Sequence, residues 1–252
     1  MKIRQSLLAH WVPIAVLVLS GTIFGNGGAQ AATAYAAFDW SGMNVTAQGS
    51  NGGNVNWEWS GFGGTDVQAE TFSSFPFDSS FDWTTPVDAL ATEITGDQGH
   101  AHGDSTSLFA SANVTSADGF ASAMGDRYDT LFAWGQGILT IEIPFQVNVT
   151  ADPLNNDMAY ANASLNITDQ YNQNSSHDLF VDELSSFTSQ SGLLRVNVSV
   201  SGGDQFNPLA YDFNAHVEAV ASASPVPLPG AVWLLGSALL GMAPVARRRL
   251  TH

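Results

Sequence analysis

The chain has 252 residues and a formal net charge of −16, with 23 acidic and seven basic side chains. Only Arg127 and Arg195 among the basic residues lie away from the two ends, so the body carries two positive and 23 negative side chains, a formal charge of −21. Such a surface repels nucleic acid and anionic lipid, which makes both poor partners. Cysteine is absent, which excludes disulfides, thiolate nucleophiles and cysteine-ligated zinc.

Residues 1–31 are typical of a secretory signal peptide with an apolar signal helix. Two basic residues open the chain, the apolar segment WVPIAVLVLSGTIF follows at 11–24, and small residues come next. Ala29 and Ala31 match the A-x-A pattern of signal peptidase sites. We therefore expect cleavage after Ala31, with Ala34 as the second choice. An uncleaved membrane anchor is the alternative.

From residue 32 to residue 220, apolar and polar residues alternate with the period of two that is typical of strands. The inward positions are every second residue over 108–114, 141–149, 159–167, 194–200 and 211–219. Turn residues separate these segments, which predicts one all-β domain over 32–220, an antiparallel β-sandwich or jelly roll. Pro144 falls on a polar side and predicts an edge position or a bulge. Residues 177–187 favour a helical turn.

Residues 57–83, WEWSGFGGTDVQAETFSSFPFDSSFDW, contain eight aromatic side chains. Exposed aromatic rings on a β-sandwich can stack on the apolar faces of sugars. Trp57 and Trp59 alternate along one predicted strand face, which makes them candidate glycan-binding residues. The alternative is that these rings belong to the core of a domain otherwise rich in alanine and serine.

His100, His102 and Asp104 alternate in the segment GDQGHAHGD. On a strand all three side chains would share one face and could hold a metal ion. The second aspartate–histidine step of metallo-hydrolase motifs is missing, and the glycine-rich segment favours a solvated loop. We therefore predict no metal site, with these three residues as the candidates if the loop interpretation is wrong.

Two acidic loops contain candidate ligands for calcium. Asp152 and Asp157 in DPLNNDMAY, like Asp182 and Glu183, are hard oxygen ligands of the kind that calcium prefers. No EF-hand loop or glycine–aspartate nonapeptide repeat is present, so solvated carboxylates are the favoured interpretation and no cofactor is predicted.

G-x-S-x-G and H-E-x-x-H motifs are also absent, so we predict no enzymatic activity. A carboxylate pair acting on glycosides is the hydrolase alternative.

The C-terminus combines three parts. Residues 221–229 form a linker that ends in a proline-rich motif, which its prolines keep extended. Residues 230–246 carry no charge and as a transmembrane helix would span about 26 Å, at the short end for a bilayer. Residues 247–252 begin with Arg247, Arg248 and Arg249, which the positive-inside rule places in the cytoplasm. The body is then expected outside the cytoplasmic membrane. An ordinary C-terminal anchor is the alternative.

This tail resembles the PEP-CTERM sorting signal, and most closely its VPLPA variant. Val226, Pro227, Leu228 and Pro229 match that motif, and Gly230 stands where alanine is usual. The resemblance covers the tail alone. It implies processing by an exosortase, a membrane-embedded cysteine transpeptidase of Gram-negative bacteria that also make exopolysaccharide. The tail would be cut near the proline motif, and the body released or attached outside the cell.

Together these features predict an exported protein of the cell surface or biofilm matrix of a Gram-negative bacterium. Its partners on that route are the secretion machinery, signal peptidase and the exosortase, with transient anchoring in the inner membrane. The mature domain is expected to be structural or adhesive. A module that binds exopolysaccharide is the alternative, and a secreted hydrolase is less favoured.

Overall fold

A computed structural model describes residues 32–152, 157–169 and 187–224. In these ranges the chain is all-β, as the alternation predicts, with one short 3-10 turn at Trp40–Gly42. The strands are β1 (Ala32–Asp39), β2 (Asn44–Gly49), β3 (Val55–Trp59), β4 (Gly64–Thr71), β5 (Phe77–Ser80), β6 (Val87–Thr92), β7 (Gln98–Gly103), β8 (Ser107–Val114), β9 (Phe120–Thr150), β10 (Met158–Asp169), β11 (Phe187–Gly202) and β12 (Leu209–Ser222).

The twelve strands form one antiparallel sheet in which the long strand β9 is central. The first half of β9 pairs with β12 on one side and with β3 and β4 on the other. Its second half pairs with β11 on one side and with β1 and β2 on the other. Strands β8, β7 and β6 then follow β1, while β10 follows β12 and β5 follows β4.

The sheet is sandwich-like because its two parts pack face to face. Strand β4 packs against β6 and β7, and β12 packs against β8 and β1. We call these parts the β12 layer (β10, β12, the first half of β9, β3, β4 and β5) and the β8 layer (β11, the second half of β9, β1, β2, β8, β7 and β6). Since β9 belongs to both layers, side chains on it can link them.

The two halves of β9 meet at Gly135. Its φ is +110°, a conformation that residues with a Cβ rarely adopt. A Cβ at this position would also lie 2.0 Å from the carbonyl oxygen of Asn54. Glycine therefore allows β3 to pair closely where β9 leaves one layer for the other.

Pro144 lies at an interruption in the central strand. β1 stops pairing with β9 at Phe145, and β2 resumes at Glu142. The Trp40–Gly42 turn fills the interval, so Pro144 has no ladder partner on that side. Because proline has no N–H to donate, this is a favourable place for it. β9 is not an edge strand, but Pro144 occupies a locally unpaired position on this side, while on the other side it stays in register opposite Leu193 of β11. The bulge alternative stays a prediction.

The core lies between the layers and follows the predicted pattern. All inward positions predicted from the alternation are buried, from Leu108 on β8 to Ala219 on β12. Many of them are alanines, which let the layers approach closely. The largest rings gather at one end of the core, where Trp40, Trp83 and Phe213 have centroids within 6.1 Å of one another.

Several predicted segments lie outside the described residues. These are the signal peptide, the proline motif, the apolar helix, the basic tail and all but the last residue of the helical turn predicted over 177–187. That last residue, Phe187, begins β11. Strand β12 continues to Ser222, two residues beyond the predicted end of the domain. Across the described ranges, no helix has the length and apolar character needed to cross a membrane.

Candidate functional site

His100 and His102 lie on strand β7, so the loop interpretation of this segment is wrong. The two imidazoles face outward and are partly exposed, while Gly99, Ala101 and Gly103 face the core and are buried. A Cβ on Gly99 would lie 2.2 Å from the carbonyl oxygen of Ser122 in the other layer. The glycine–alanine–glycine alternation therefore allows close layer packing and leaves both histidines on the outer face.

Asp88 joins the two histidines, although no motif in the sequence indicates it. It lies on β6 directly opposite His102. Its Oδ1 atom is 2.8 Å from Nε2 of His100 and 3.1 Å from Nδ1 of His102. Burial disfavours ionisation, but hydrogen bonds and charges from both histidines hold the pKa of Asp88 below its usual value. One carboxylate oxygen therefore orients both rings.

Asp104 holds the turn that follows β7. Its Oδ1 atom accepts hydrogen bonds from the backbone N–H groups of Thr106 and Ser107, each at 2.8 Å. Burial alone would raise the pKa of the Asp104 carboxyl. The hydrogen bonds from the backbone and hydroxyl groups of Thr106 and Ser107, together with a 3.5 Å contact to His102 Nε2, instead hold that pKa well below its usual value. Within the described residues, no group of three or more histidine or acidic side chains is arranged to hold a metal ion. The ring nitrogens of His102 face carboxylate oxygens instead.

Arg127 supports this turn from inside the molecule. It is only 1% exposed, and its guanidinium lies 4.7 Å from the centre of the Trp40 ring. Nη2 donates to the backbone carbonyl of Asp104 at 2.6 Å, and Nε donates to Thr65 Oγ1 at 3.1 Å. Burial lowers the pKa of Arg127 to about 10, although the negative charge of Asp104 acts to raise it. The side chain is thus charged at neutral pH and links β9 to the outer turn.

A depression of about 350 Å³ opens beside the interruption at Pro144. Phe38, Pro144 and Phe145 supply apolar surface. Polar groups come from Asp39, Ser107, Gln146 and other neighbours. Its size falls within the range of about 300 to 1,000 Å³ that small-molecule sites occupy, and its mixed lining is also typical of them. The depression and the histidine pair lie on the same layer.

Trp57 and Trp59 share one face of β3, half-buried against the core. Their ring centroids lie 6.2 Å apart in an edge-on arrangement. The Trp59 ring is also 5.1 Å from Trp83 and from Phe213. Much of the Trp59 surface is therefore taken up by packing. A role of these two residues in glycan binding stays a prediction.

The aromatic stretch divides by residue type. Its three tryptophans pack against the core. Its five phenylalanines are between 62% and 89% exposed: Phe62, Phe72, Phe75, Phe77 and Phe81. Contiguous patches of exposed apolar side chains are unusual on soluble monomers and mark interaction surfaces. The stretch therefore contributes both core and exposed apolar surface.

The described calcium candidates make structural hydrogen bonds. Asp157 is 6% exposed, and its side chain accepts the backbone N–H of Ser224 at 3.2 Å. Its own backbone N–H donates to the carbonyl of Asp152 at 3.2 Å. The two residues thus close a loop whose residues 153–156 lie outside the described ranges, as do Asp182 and Glu183. Calcium binding stays a prediction.

A single histidine surrounded by acidic side chains lies on the β12 layer. Asp66, Asp126 and His216 stand opposite one another on β4, β9 and β12. His216 Nδ1 is 3.0 Å from Asp126 Oδ1, and Nε2 is 4.0 Å from Glu218 Oε2. Burial disfavours protonation, but hydrogen bonds and charges from Asp126 and Glu218 raise the pKa of His216 to about 9. His216 is therefore a cation at neutral pH.

No family model, curated protein or solved structure matches the chain. The resemblance of the tail therefore rests on its residues. The predicted cleavage, sorting and membrane-orienting residues lie outside the described ranges: Ala29, Ala31, Val226, Pro227, Leu228, Pro229, Gly230, Arg247, Arg248 and Arg249.

Proposed function

We propose that the protein is exported, anchored transiently in the inner membrane and cut by an exosortase near Val226–Gly230. The observation that carries this proposal is the order of three parts at the C-terminus: a proline motif, an uncharged apolar segment and Arg247–Arg249. Signal peptidase removes residues 1–31, and the apolar tail then stops translocation. The body of the chain reaches the cell surface or extracellular matrix of a Gram-negative bacterium.

The mature domain acts there as a structural or adhesive component, without catalysis. We further propose a jelly-roll-like domain, flanked before processing by an N-terminal signal helix and a C-terminal transmembrane helix. Exposed phenylalanines such as Phe62 and Phe81 support adhesion, because they offer apolar contact area at no cost to the core. The acidic body supports solubility outside the cell and makes nucleic acid a poor partner.

The intact mass of the protein from native cells tests the sorting proposal. Culture fluid, outer surface and inner membrane are compared between normal cells and cells that lack the exosortase. We expect a species that begins near Ala32 and ends near Val226–Gly230 only when the exosortase is present. Additional mass on that species would identify the attached group.

A species that keeps Arg247–Arg249 and stays in the inner membrane of both strains would make the tail an ordinary anchor. A matched variant sharpens the comparison: Pro227→Ala with Pro229→Ala should retain the uncut tail even in cells that have the exosortase.

A further inference from the structure

The outer face of the β8 layer carries two parallel rows of side chains that cross six strands. The strand registers place one residue of each row on β6, β7, β8, β1, β9 and β11. Because neighbouring strands lie about 4.8 Å apart, each row is roughly 24 Å long. The first row consists of Asp88, His102, Phe109, Ala37, Gln146 and Ser191. The second row consists of Leu90, His100, Ser111, Tyr35, Asn148 and Ser189.

We call this surface the two-row face, and its centre is aromatic. The Phe109 ring lies 6.2 Å from Tyr35 and 5.5 Å from His102, with interplanar angles of 28° and 33°. His100 approaches the same ring edge-on at 5.0 Å. Three rings of similar orientation make a continuous aromatic surface, and Asp88 fixes the imidazoles beside it. Such a surface suits the apolar C–H face of a sugar ring.

Polar groups surround this aromatic centre. Gln146, Ser189 and Ser191 are exposed at one end of the rows, and Asn148 is partly exposed. The depression at Pro144 adjoins that end, since Tyr35 and Gln146 line it. Hydroxyl and amide groups around an apolar floor match the ring hydroxyls and C–H faces of a saccharide.

The charge of the face selects among polysaccharides. Of the two arginines in the described body, Arg127 is buried and Arg195 is bound to Glu142. Asp88 and Asp39 lie on or beside the face, where both are exposed. A phosphate, sulfate or uronate polymer would therefore meet carboxylates without an available arginine. Charge complementarity favours an uncharged chain.

We propose that the two-row face binds a neutral polysaccharide, which lies along the rows over Phe109 and seats one sugar in the depression beside Tyr35. This inference rests on the proposed function, because a neutral glycan is available to an exported domain. The proposed glycan site thus lies on Tyr35 of β1 and Phe109 of β8, and not on Trp57 and Trp59 of β3. Adhesion then has a defined partner.

Native gel electrophoresis tests the proposal with the protein purified from its own cells. Gels contain the neutral polysaccharide fraction of the native culture, dextran as a second neutral polymer, or alginate as an anionic one. We expect the neutral fraction to retard the protein and alginate to have no effect. Tyr35→Ala and Phe109→Ala should each raise the dissociation constant about tenfold or more, because each substitution removes an anchoring ring.

Two exposed residues keep the test independent of folding. Gln146→Ala and Ser191→Ala remove only surface polar groups, and together they should weaken binding about threefold to tenfold. Trp57→Ala is the matched aromatic control and should bind like the unmodified protein. No retardation by the neutral fraction would overturn the proposal. Loss of retardation in Trp57→Ala, with full retardation in Tyr35→Ala and in the Gln146/Ser191 double variant, would also overturn it.

Processing is followed in the same variants so that the two proposals can fail separately. The intact mass of Tyr35→Ala should show normal exosortase-dependent removal of the tail. Normal processing without glycan binding in the unmodified protein would overturn the two-row site alone. Binding with no exosortase-dependent cut would remove the sorting proposal and leave the site in place.

Discussion

The two outer faces of the sandwich-like sheet use histidine in different ways. On the β12 layer, His216 lies between Asp126 and Glu218, and its raised pKa keeps it protonated. On the β8 layer, His100 and His102 share one oxygen of Asp88 and lie against the Phe109 ring. The first arrangement balances charge within the protein. The second presents oriented rings at a partly exposed surface.

On the β12 layer, the positive charge of His216 offsets repulsion between facing carboxylates. Asp66 and Asp126 stand opposite each other, and burial together with the Asp126 charge raises the pKa of Asp66. A protonated His216 supplies a cation where lysine and arginine are absent. The β8 layer has fewer carboxylates facing one another and is therefore free to carry aromatic and amide groups. We expect the first face to contribute to stability, and we propose the second as the binding face.

The largest expected effect comes from Arg127, which belongs to the β12 layer but bonds to the turn of the β8 layer. Arg127→Met keeps most of the volume and removes the donors to Asp104 and Thr65. We expect the free energy of unfolding to fall by about 2 to 4 kcal/mol, because buried partners lose their hydrogen bonds. Denaturant titration followed by tryptophan fluorescence measures this. A loss below about 1 kcal/mol would show that the link between layers is unimportant.

The next effect isolates the charge of His216. His216→Gln keeps a hydrogen-bond donor for Asp126 but no positive charge. Histidine in an unfolded chain has a pKa near 6.5, so the stabilisation from the raised pKa is full below about pH 6.5. It is lost as the pH rises through about 9. We expect the variant to be about 1 to 2 kcal/mol less stable at pH 6 and equal to the unmodified protein at pH 10.

The opposite face provides the control for this experiment. His100→Gln should change the free energy of unfolding by no more than about 0.5 kcal/mol at either pH. Equal losses in the two variants would remove the contrast between the faces. A His216→Gln deficit that persists unchanged at pH 10 would mean that shape, and not charge, makes the contribution.

A smaller effect is expected at Asp104. Asp104→Ala removes the acceptor for the N–H groups of Thr106 and Ser107 and should cost about 1 kcal/mol. Asp104→Asn keeps an acceptor and should cost less. Because the folded pKa of Asp104 is lowered, its contribution is present above about pH 4 and falls as acid protonates it. Unfolding curves at pH 3 and pH 6 should therefore differ more for the unmodified protein than for Asp104→Asn.

The inward face of each strand could be predicted from the sequence, but strand pairing could not. Period-two alternation is a local property, so the buried positions from Leu108 to Ala219 follow from it directly. Asp88 meets His100 only because β6 and β7 form a hairpin. The signal for that hairpin is the turn containing Gly96, whose φ is +94°. The backbone N–H of Gly96 donates to the backbone carbonyl of Glu93 across this turn at 3.0 Å.

The aromatic stretch shows a second limit of sequence patterns. Alternation correctly places Trp57 and Trp59 on one face, but it does not say that Trp83 and Phe213 cover that face. Phe213 is 130 residues or more away along the chain and arrives through the pairing of β12 with β9. Likewise, Tyr35 and Phe109 meet through the pairing of β1 with β8. Long-range register decides which aromatic surface is available.

The smallest effect on stability is expected at the exposed phenylalanines. Phe62→Ser with Phe81→Ser alters side chains that are 89% and 88% exposed, so the free energy of unfolding should change by no more than about 0.5 kcal/mol per site. Retention on the cell surface should nevertheless decrease, because the apolar contact area is lost. Phe206→Ser, at a 90% exposed site between β11 and β12, is the matched control and should leave retention unchanged. If both variants are retained equally, the exposed rings of the 57–83 stretch contribute nothing to adhesion, and the two-row face must account for it alone.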